Sequence, residues 1–256
     1  MPWEQQVGGR VGNRVESVAW RLKNSALPIM AFGARLARRS VGVSEFRIDG
    51  VSHKYLVHPY NATWRNERAV ELAIGFDWLG QRPKGRTLEL GHVLGHYRHL
   101  DHHTVVDKYE TSPGILNLDV LEYRPEERFR SIIAISTLEH VGYDEEDRSP
   151  DKTRRVVDHL ASLLEPDGEL MITFPLGYNR DLDDHLLSGA LELDSVTVMK
   201  RTSALGAWEQ TDLDHVPNAR YGFPFRNGNS IAVCLRRATL NANSQLDRSE
   251  ARSLRS

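Results

Sequence analysis

The residues able to do chemistry cluster between 86 and 140, and they recur where apolar runs end. Glu89, Gly91 and Gly95 stand in RTLELGHVLG, Asp107 closes HTVVD, Asp119 follows ILNL, and Ser136, Glu139 and His140 follow IIAI. A carboxylate at the end of a strand can accept hydrogen bonds from a ribose diol. Glycine in the turn after a strand lets the backbone come close to a ligand. A strand-ending acid, a glycine-bearing turn and a second acid after the next strand are therefore the parts of a nucleoside-binding site. His140 has a near-neutral intrinsic pKa and is the candidate general base, with Glu139 the second candidate.

Those side chains converge only if the runs carrying them are neighbouring parallel strands. Apolar strand-like runs alternate with helical periodicity, which predicts an α/β fold, Rossmann-like and doubly wound, with a mainly parallel sheet and an antiparallel last strand. Asn66 predicts the start of a helix running through Trp78, whose apolar face is Val70, Ala73, Ile74 and Trp78. A second helix is predicted over 151–165, where Val156, Val157, Leu160, Leu163 and Leu164 share one face, with Pro166-Asp167-Gly168 as its terminating turn. ELMITFP, SVTVMK (195–200) and NSIAVCLRR (229–237) are the later strands. Only seven residues separate Asp107 from Ile115, fewer than the ~10–12 of a helical crossover. That crossover helix is expected to be lost or reduced to a turn, and the one between Gly95 and His103 to be shortened. Ahead of the core, FRIDGVSHKYLVH reads as a β-hairpin turning at Asp49-Gly50.

The expected organisation is a basic N-terminal arm (1–43), one domain (44–240, core 66–240) and a disordered polar tail (241–256). At 256 residues the chain suffices for one large domain. Its 33 basic and 35 acidic residues create no global field for nucleic acid, so a nucleic-acid partner is not expected. A single cysteine, Cys234 in SIAVCL, excludes an internal disulfide and fits a reducing, cytoplasmic setting. The best apolar run, ALPIMAFGA, is too short for an integral membrane segment. Residues 1–40 hold seven Arg or Lys against two Glu. They read as a solvated basic arm, and a weak membrane-surface contact is the alternative. No metal site is expected: Asp144–Asp147 reads as a solvated acidic loop, and the turn at His99, Asp101, His102 and His103 has no ligand spacing.

The segment Glu89–Gly95 resembles the first motif of class I S-adenosylmethionine-dependent methyltransferases, with two of its three glycines present and Val93 in the middle place. The likeness extends over about 66–178 and includes the helix–PDG–strand unit LLEPDGELMITFP. It implies that S-adenosylmethionine is the cofactor, held by Glu89, Gly91, Gly95, Asp107, Leu118, Asp119, Val120 and Ser136. Asp107 would be the ribose acid, and Asp119 would lie beside the adenine amino group between Leu118 and Val120. His140 and Glu139 are then the catalytic candidates at the edge facing the methyl group. Tyr178, Asn179, Trp64 and Arg65 are further candidates for the acceptor side. STLEH stands where related enzymes that methylate planar amino groups carry Asn/Asp-Pro-Pro-aromatic, which disfavours such acceptors. The expected reaction is methyl transfer to a small polar acceptor, an oxygen of a sugar, glycan precursor or related metabolite. Two alternatives stay open. One is a non-catalytic cofactor-binding protein of the same fold, and the other a nicotinamide-dependent oxidoreductase, for which G-x-G-x-x-G is missing.

Overall fold

The computed structural model describes residues 13–238. Residues 1–12 of the expected arm and the whole 241–256 tail lie outside them. Within the rest of the expected arm, α1 (Asn13–Ser40) buries Ala31 and Arg38 and leaves Ile29, Phe32 and Leu36 uncovered. No helix among the described residues is long and apolar enough to cross a membrane. Next comes a hairpin of β1 (Glu45–Ile48) and β2 (Val51–Lys54). Asp49 and Gly50 close it with φ of 48° and 81°, the left-handed pair of a two-residue turn. α2 (Arg68–Gln81) starts where the Asn66 side chain accepts a hydrogen bond from the Arg68 N–H at 3.2 Å. This helix is buried nearly all round, because it lies between the hairpin and one face of the main sheet.

That sheet begins with β3 (Thr87–Leu90), β4 (His103–Val106), β5 (Ile115–Leu116) and β6 (Phe129–Ile135). Next in chain order are α3 (Lys152–Ser162), β7 (Leu164–Pro175), α4 (Arg180–Leu187), β8 (Ser195–Arg201), β9 (Trp208–Thr211) and β10 (Ser230–Arg237). The eight strands lie in the order β5-β4-β3-β6-β7-β10-β8-β9. The first five are mutually parallel, and β10 runs antiparallel between β7 and β8. The antiparallel late strand is therefore present, and β9 adds an edge strand that the sequence reading lacked. From β3 the chain passes to one side, through β4 and β5, and from β6 to the other. The boundary between β3 and β6 is thus a topological switch point, where open α/β sheets bind ligands beyond the strands' carboxyl ends.

The crossover between β4 and β5 is trimmed as expected, and the one between β3 and β4 further than expected. One 3-10 turn, Leu94–His96, replaces a helix between β3 and β4, and the described chain has no helix between β4 and β5. The PDG turn does not stop a helix. α3 ends at Ser162, and Pro166–Gly168 falls inside β7, where pairing jumps from Phe129–Leu164 to Ser131–Glu169. Alternate residues of β6 feed two cores: Ile132 and Ala134 pack with α3 and α4, and Ile133 and Ile135 pack with α2 and the hairpin. Cys234 is fully buried in the first of these.

Candidate active site

The turn after β3 is built from beneath. Glu89 is fully buried, and one of its carboxylate oxygens accepts the Val93 and Leu94 N–H groups at 2.8 and 2.6 Å. The other lies 2.9 Å from His103 Nε2 on the neighbouring strand, without hydrogen-bond alignment. Glu89 therefore shapes the loop and does not line the cavity above it. Gly91 has φ +81°, and a Cβ there would overlap the Thr137 side chain, so its lack of one lets the ends of β3 and β6 close up. Gly95 is placed off the cavity, in the 3-10 turn against the His92 ring.

A cavity of about 260 Å³ opens at the carboxyl ends of β3, β4, β5 and β6. Gly91, Asp107, Leu118, Asp119, Val120, Ser136 and His140 all line it, so the predicted residues from four strand ends are brought together. The Asp107 carboxylate accepts three N–H groups: His92 at 3.1 Å, Tyr109 at 2.8 Å and Glu110 at 2.9 Å. A carboxylate has about four lone-pair positions, which leaves one for a ligand. Asp119 caps the following turn through Leu121 N–H, and its second oxygen receives Lys152 Nζ at 2.5 Å. Glu145 takes both Lys152 and Lys108 at 2.6 Å, so two ammonium groups and two carboxylates form one wall. Burial works to raise the Asp119 pKa, but the two lysines and the Leu121 N–H outweigh it and hold the carboxyl below its ordinary range.

Behind the end of β6 lies a second acidic layer. Ser136, at φ +39°, donates from Oγ to both oxygens of Glu71 at 2.8 Å, and Thr173 Oγ1 donates to the same carboxylate at 3.0 Å. Arg68 reaches over it to donate to the Ile135 and Ser136 carbonyls at 2.9 and 3.4 Å. Burial pushes the Glu71 carboxyl up to about 7 despite the nearby guanidinium. Glu139 is driven well above its ordinary value by burial and by the charge of Glu71. It is only 2 % exposed, one of its oxygens has no hydrogen-bond partner, and it does not line the cavity. As a catalytic candidate it is therefore set behind the cavity wall, 3.6 Å from His140 Nε2.

His140 lines the cavity with half of its side chain exposed. Its Nδ1 is 2.5 Å from Asp144 Oδ2, and Tyr178 donates its hydroxyl to the same oxygen at 2.7 Å. A carboxylate only accepts, so Nδ1 donates to Asp144, while Nε2 lies 3.6 Å from Glu139 Oε1. Within the acidic run 144–147, Asp144 thus pairs with His140 and Glu145 lines the cavity, while Glu146 and Asp147 are exposed. Arg68, Glu71, Lys108 and Lys152 were also absent from the sequence reading. Asp144 lies four residues after His140, a spacing that the sequence does contain. Asn179, by contrast, is used structurally: it caps α4 through Leu182 N–H and donates to the Glu139 carbonyl.

A second cavity of about 450 Å³ shares His92 and Val93 with the first and adds Tyr60, Asn61, Arg68, His96 and Tyr97. Tyr60 stacks on His96 with centroids 4.4 Å apart, which ties the segment before α2 to the turn after β3.

No protein family matches the sequence, and no curated protein matches it. Solved structures with a similar arrangement include the N-methyltransferase NodS of Bradyrhizobium japonicum WM9, at 16% identity and TM-score 0.41, covering 66% of this chain and 94% of that one. A SAM-dependent methyltransferase of Thermotoga maritima, a possible histamine N-methyltransferase, shows 11% identity, TM-score 0.39 and coverage of 64% and 85%. The Burkholderia thailandensis 1,6-didemethyltoxoflavin-N1-methyltransferase, with bound 1,6-didemethyltoxoflavin and S-adenosylhomocysteine, shows 17% identity, TM-score 0.38 and coverage of 77% and 99%. Likeness at this level assigns no role to any residue of this chain.

Proposed function

We propose that this protein transfers a methyl group from S-adenosylmethionine to a small polar acceptor, an oxygen of a sugar, glycan precursor or related metabolite. The observation that carries the reading is Asp107. It follows β4, the neighbour of β3 on one side of the switch point, in a sheet ordered 3-2-1-4-5 in its parallel part; it keeps one carboxylate position free and faces a cavity walled by the Gly91 turn.

The residues present fit the cofactor. Asp107 would take one ribose hydroxyl at its remaining position, and Leu118 and Val120 would pack on the base. Asp119, with Lys108 and Lys152, supplies donors and acceptors at the edge of the base. Arg68, lining the adjoining cavity beside the end of β6, offers a cation to the amino-acid carboxylate. When bound, the sulfonium supplies an electrophilic methyl carbon. The protein's task is then to hold the acceptor in line and close, and positioning of this kind supplies much of the rate. His140 takes the acceptor's hydroxyl proton at Nε2, with Asp144 fixing the ring through Nδ1.

The test is calorimetric titration of S-adenosylmethionine and S-adenosylhomocysteine into the wild-type protein and Asp107→Ala, with NADH as control. Saturable binding of the first two, weakened at least tenfold by the substitution, is expected. Binding of NADH alone, or undiminished binding in the variant, would overturn either the reaction or the placement of its cofactor.

A further inference from the structure

The wall formed by Tyr60 and Asn61 continues into a third cavity, a groove of about 1040 Å³ running between the segment before α2 and the loop at 225–227. Three arginines line it, Arg65, Arg201 and Arg226, with Asn61, Asn66 and Asn227, and among the described residues no acid does. Arg201 is fixed. Its Nε, Nη1 and Nη2 donate to the carbonyls of Ser203, Arg65 and Ala204 at 3.0, 3.1 and 2.7 Å, and its guanidinium lies 4.7 Å over the Phe225 ring. One donor from each of its three nitrogens therefore holds the rim together, while its charge remains. The acid that acts on it, Glu67, is buried and turned to the Gly228 N–H at 2.8 Å.

Arg65 and Arg226 differ from it. Both are exposed, and neither side chain has an ion pair or hydrogen bond among the described residues. Like charges gathered on one concave wall without a counter-charge repel one another and concentrate anions. Guanidinium groups with their forks unused suit the paired oxygens of phosphate or carboxylate. The groove also stands at the upper end of the ~300–1,000 Å³ range of small-molecule clefts, more than one acceptor ring requires.

On the methyl-transfer reading above, we propose that the acceptor is an anionic conjugate: its methylated atom lies by His140, and a phosphate or carboxylate group it carries is held by Arg65 and Arg226 in this groove. The charge of Arg201 contributes to the field there, and Tyr60, which lines both this groove and the adjoining cavity, places the acceptor beside the cofactor's amino-acid end.

Inorganic pyrophosphate and citrate serve as separate calorimetric probes of the full chain, each with and without saturating S-adenosylhomocysteine. Saturable binding of at least one probe is expected. Its Kd should rise about tenfold or more in Arg65→Gln/Arg226→Gln and stay unchanged in Arg39→Gln, which removes a charge from the exposed side of α1. Pyrophosphate binding alone would assign a phosphoryl group, and citrate binding alone a carboxylate. S-adenosylhomocysteine should bind the double variant as it binds the wild type. Arginine-dependent probe binding without S-adenosylhomocysteine binding would support the anion site while removing the methyltransferase reading. No binding of either probe, or equal binding to the double variant, overturns the proposal. Thermal melts confirm folding, and if the double variant melts early, Arg226→Gln alone carries the comparison.

Discussion

Glu71 and Asp107 are carboxylates at the same edge of one sheet, yet their surroundings give them opposite work. Asp107 accepts three N–H groups beside the cavity, whereas Glu71 is fully enclosed, with two hydroxyl donors, Arg68 nearby, and Glu67 adding negative charge. A carboxyl whose folded pKa is raised keeps its proton in the fold after the unfolded chain has lost it near 4.3. Its contribution to stability is therefore complete below that value and is lost as pH rises through about 7. Glu71→Gln keeps an oxygen to accept from Ser136 and Thr173 without ionising. Between pH 5 and 8 the melting temperature of the wild type should fall, and that of Glu71→Gln should fall less steeply. A residual slope from Glu139 should remain. Identical slopes in a calorimetric series would mean that Glu71 is ionised in the fold. Strand-ending acids such as Asp107 and Asp119 were legible because a polar residue after an apolar run is a local signal. Arg68 and Glu71 were not, since they look like an ordinary helical ion pair until the end of β6 is placed against them.

At the scale of elements, the β3–turn–β4 unit was readable because its strands are short apolar runs bounded by an acid or glycine. What escaped was long-range pairing. The PDG segment carries every local mark of a turn, but parallel pairing of β7 with β6 absorbs it as a bulge. In α1, Pro28 and Gly33 hide a helix that the Ala-, Leu- and Arg-rich context sustains. The turn after β3 depends on Gly91. Gly91→Ala would place a side chain at φ +81° and drive its Cβ into Thr137. Left-handed strain and overpacking together should cost roughly 2–5 kcal/mol. Adding Thr137→Ala removes the overlapping Oγ1 and Cγ2 and should return the steric share while leaving the conformational one. Urea denaturation of the three variants measures both parts. A Gly91→Ala protein as stable as the wild type would mean that the two strand ends do not close as described.

The whole molecule pairs a sheet packed on both faces with a ligand edge made of loops. Two complete cores flank β6, but the links between β3 and β4 and between β4 and β5 contain only a 3-10 turn among the described residues. Those links carry His92, Asp107 and Lys108, so the cavity wall is held by hydrogen bonds such as His92 N–H to Asp107 more than by buried apolar area. Segments of that kind open locally at low free-energy cost, whereas packed strands open only with global unfolding. A ligand bridging the two links should therefore act twice. By mass action, S-adenosylhomocysteine at a hundred times its Kd adds about 2.7 kcal/mol, which raises the melting temperature of a chain this size by roughly 5–10 °C. Hydrogen exchange should slow chiefly over 91–97 and 107–119, with little change in β6 and β7. A melting shift produced equally by NADH, or protection confined to the loop at 225–227, would place the ligand elsewhere and remove the reason for assigning the β3–β6 boundary as the cofactor's edge.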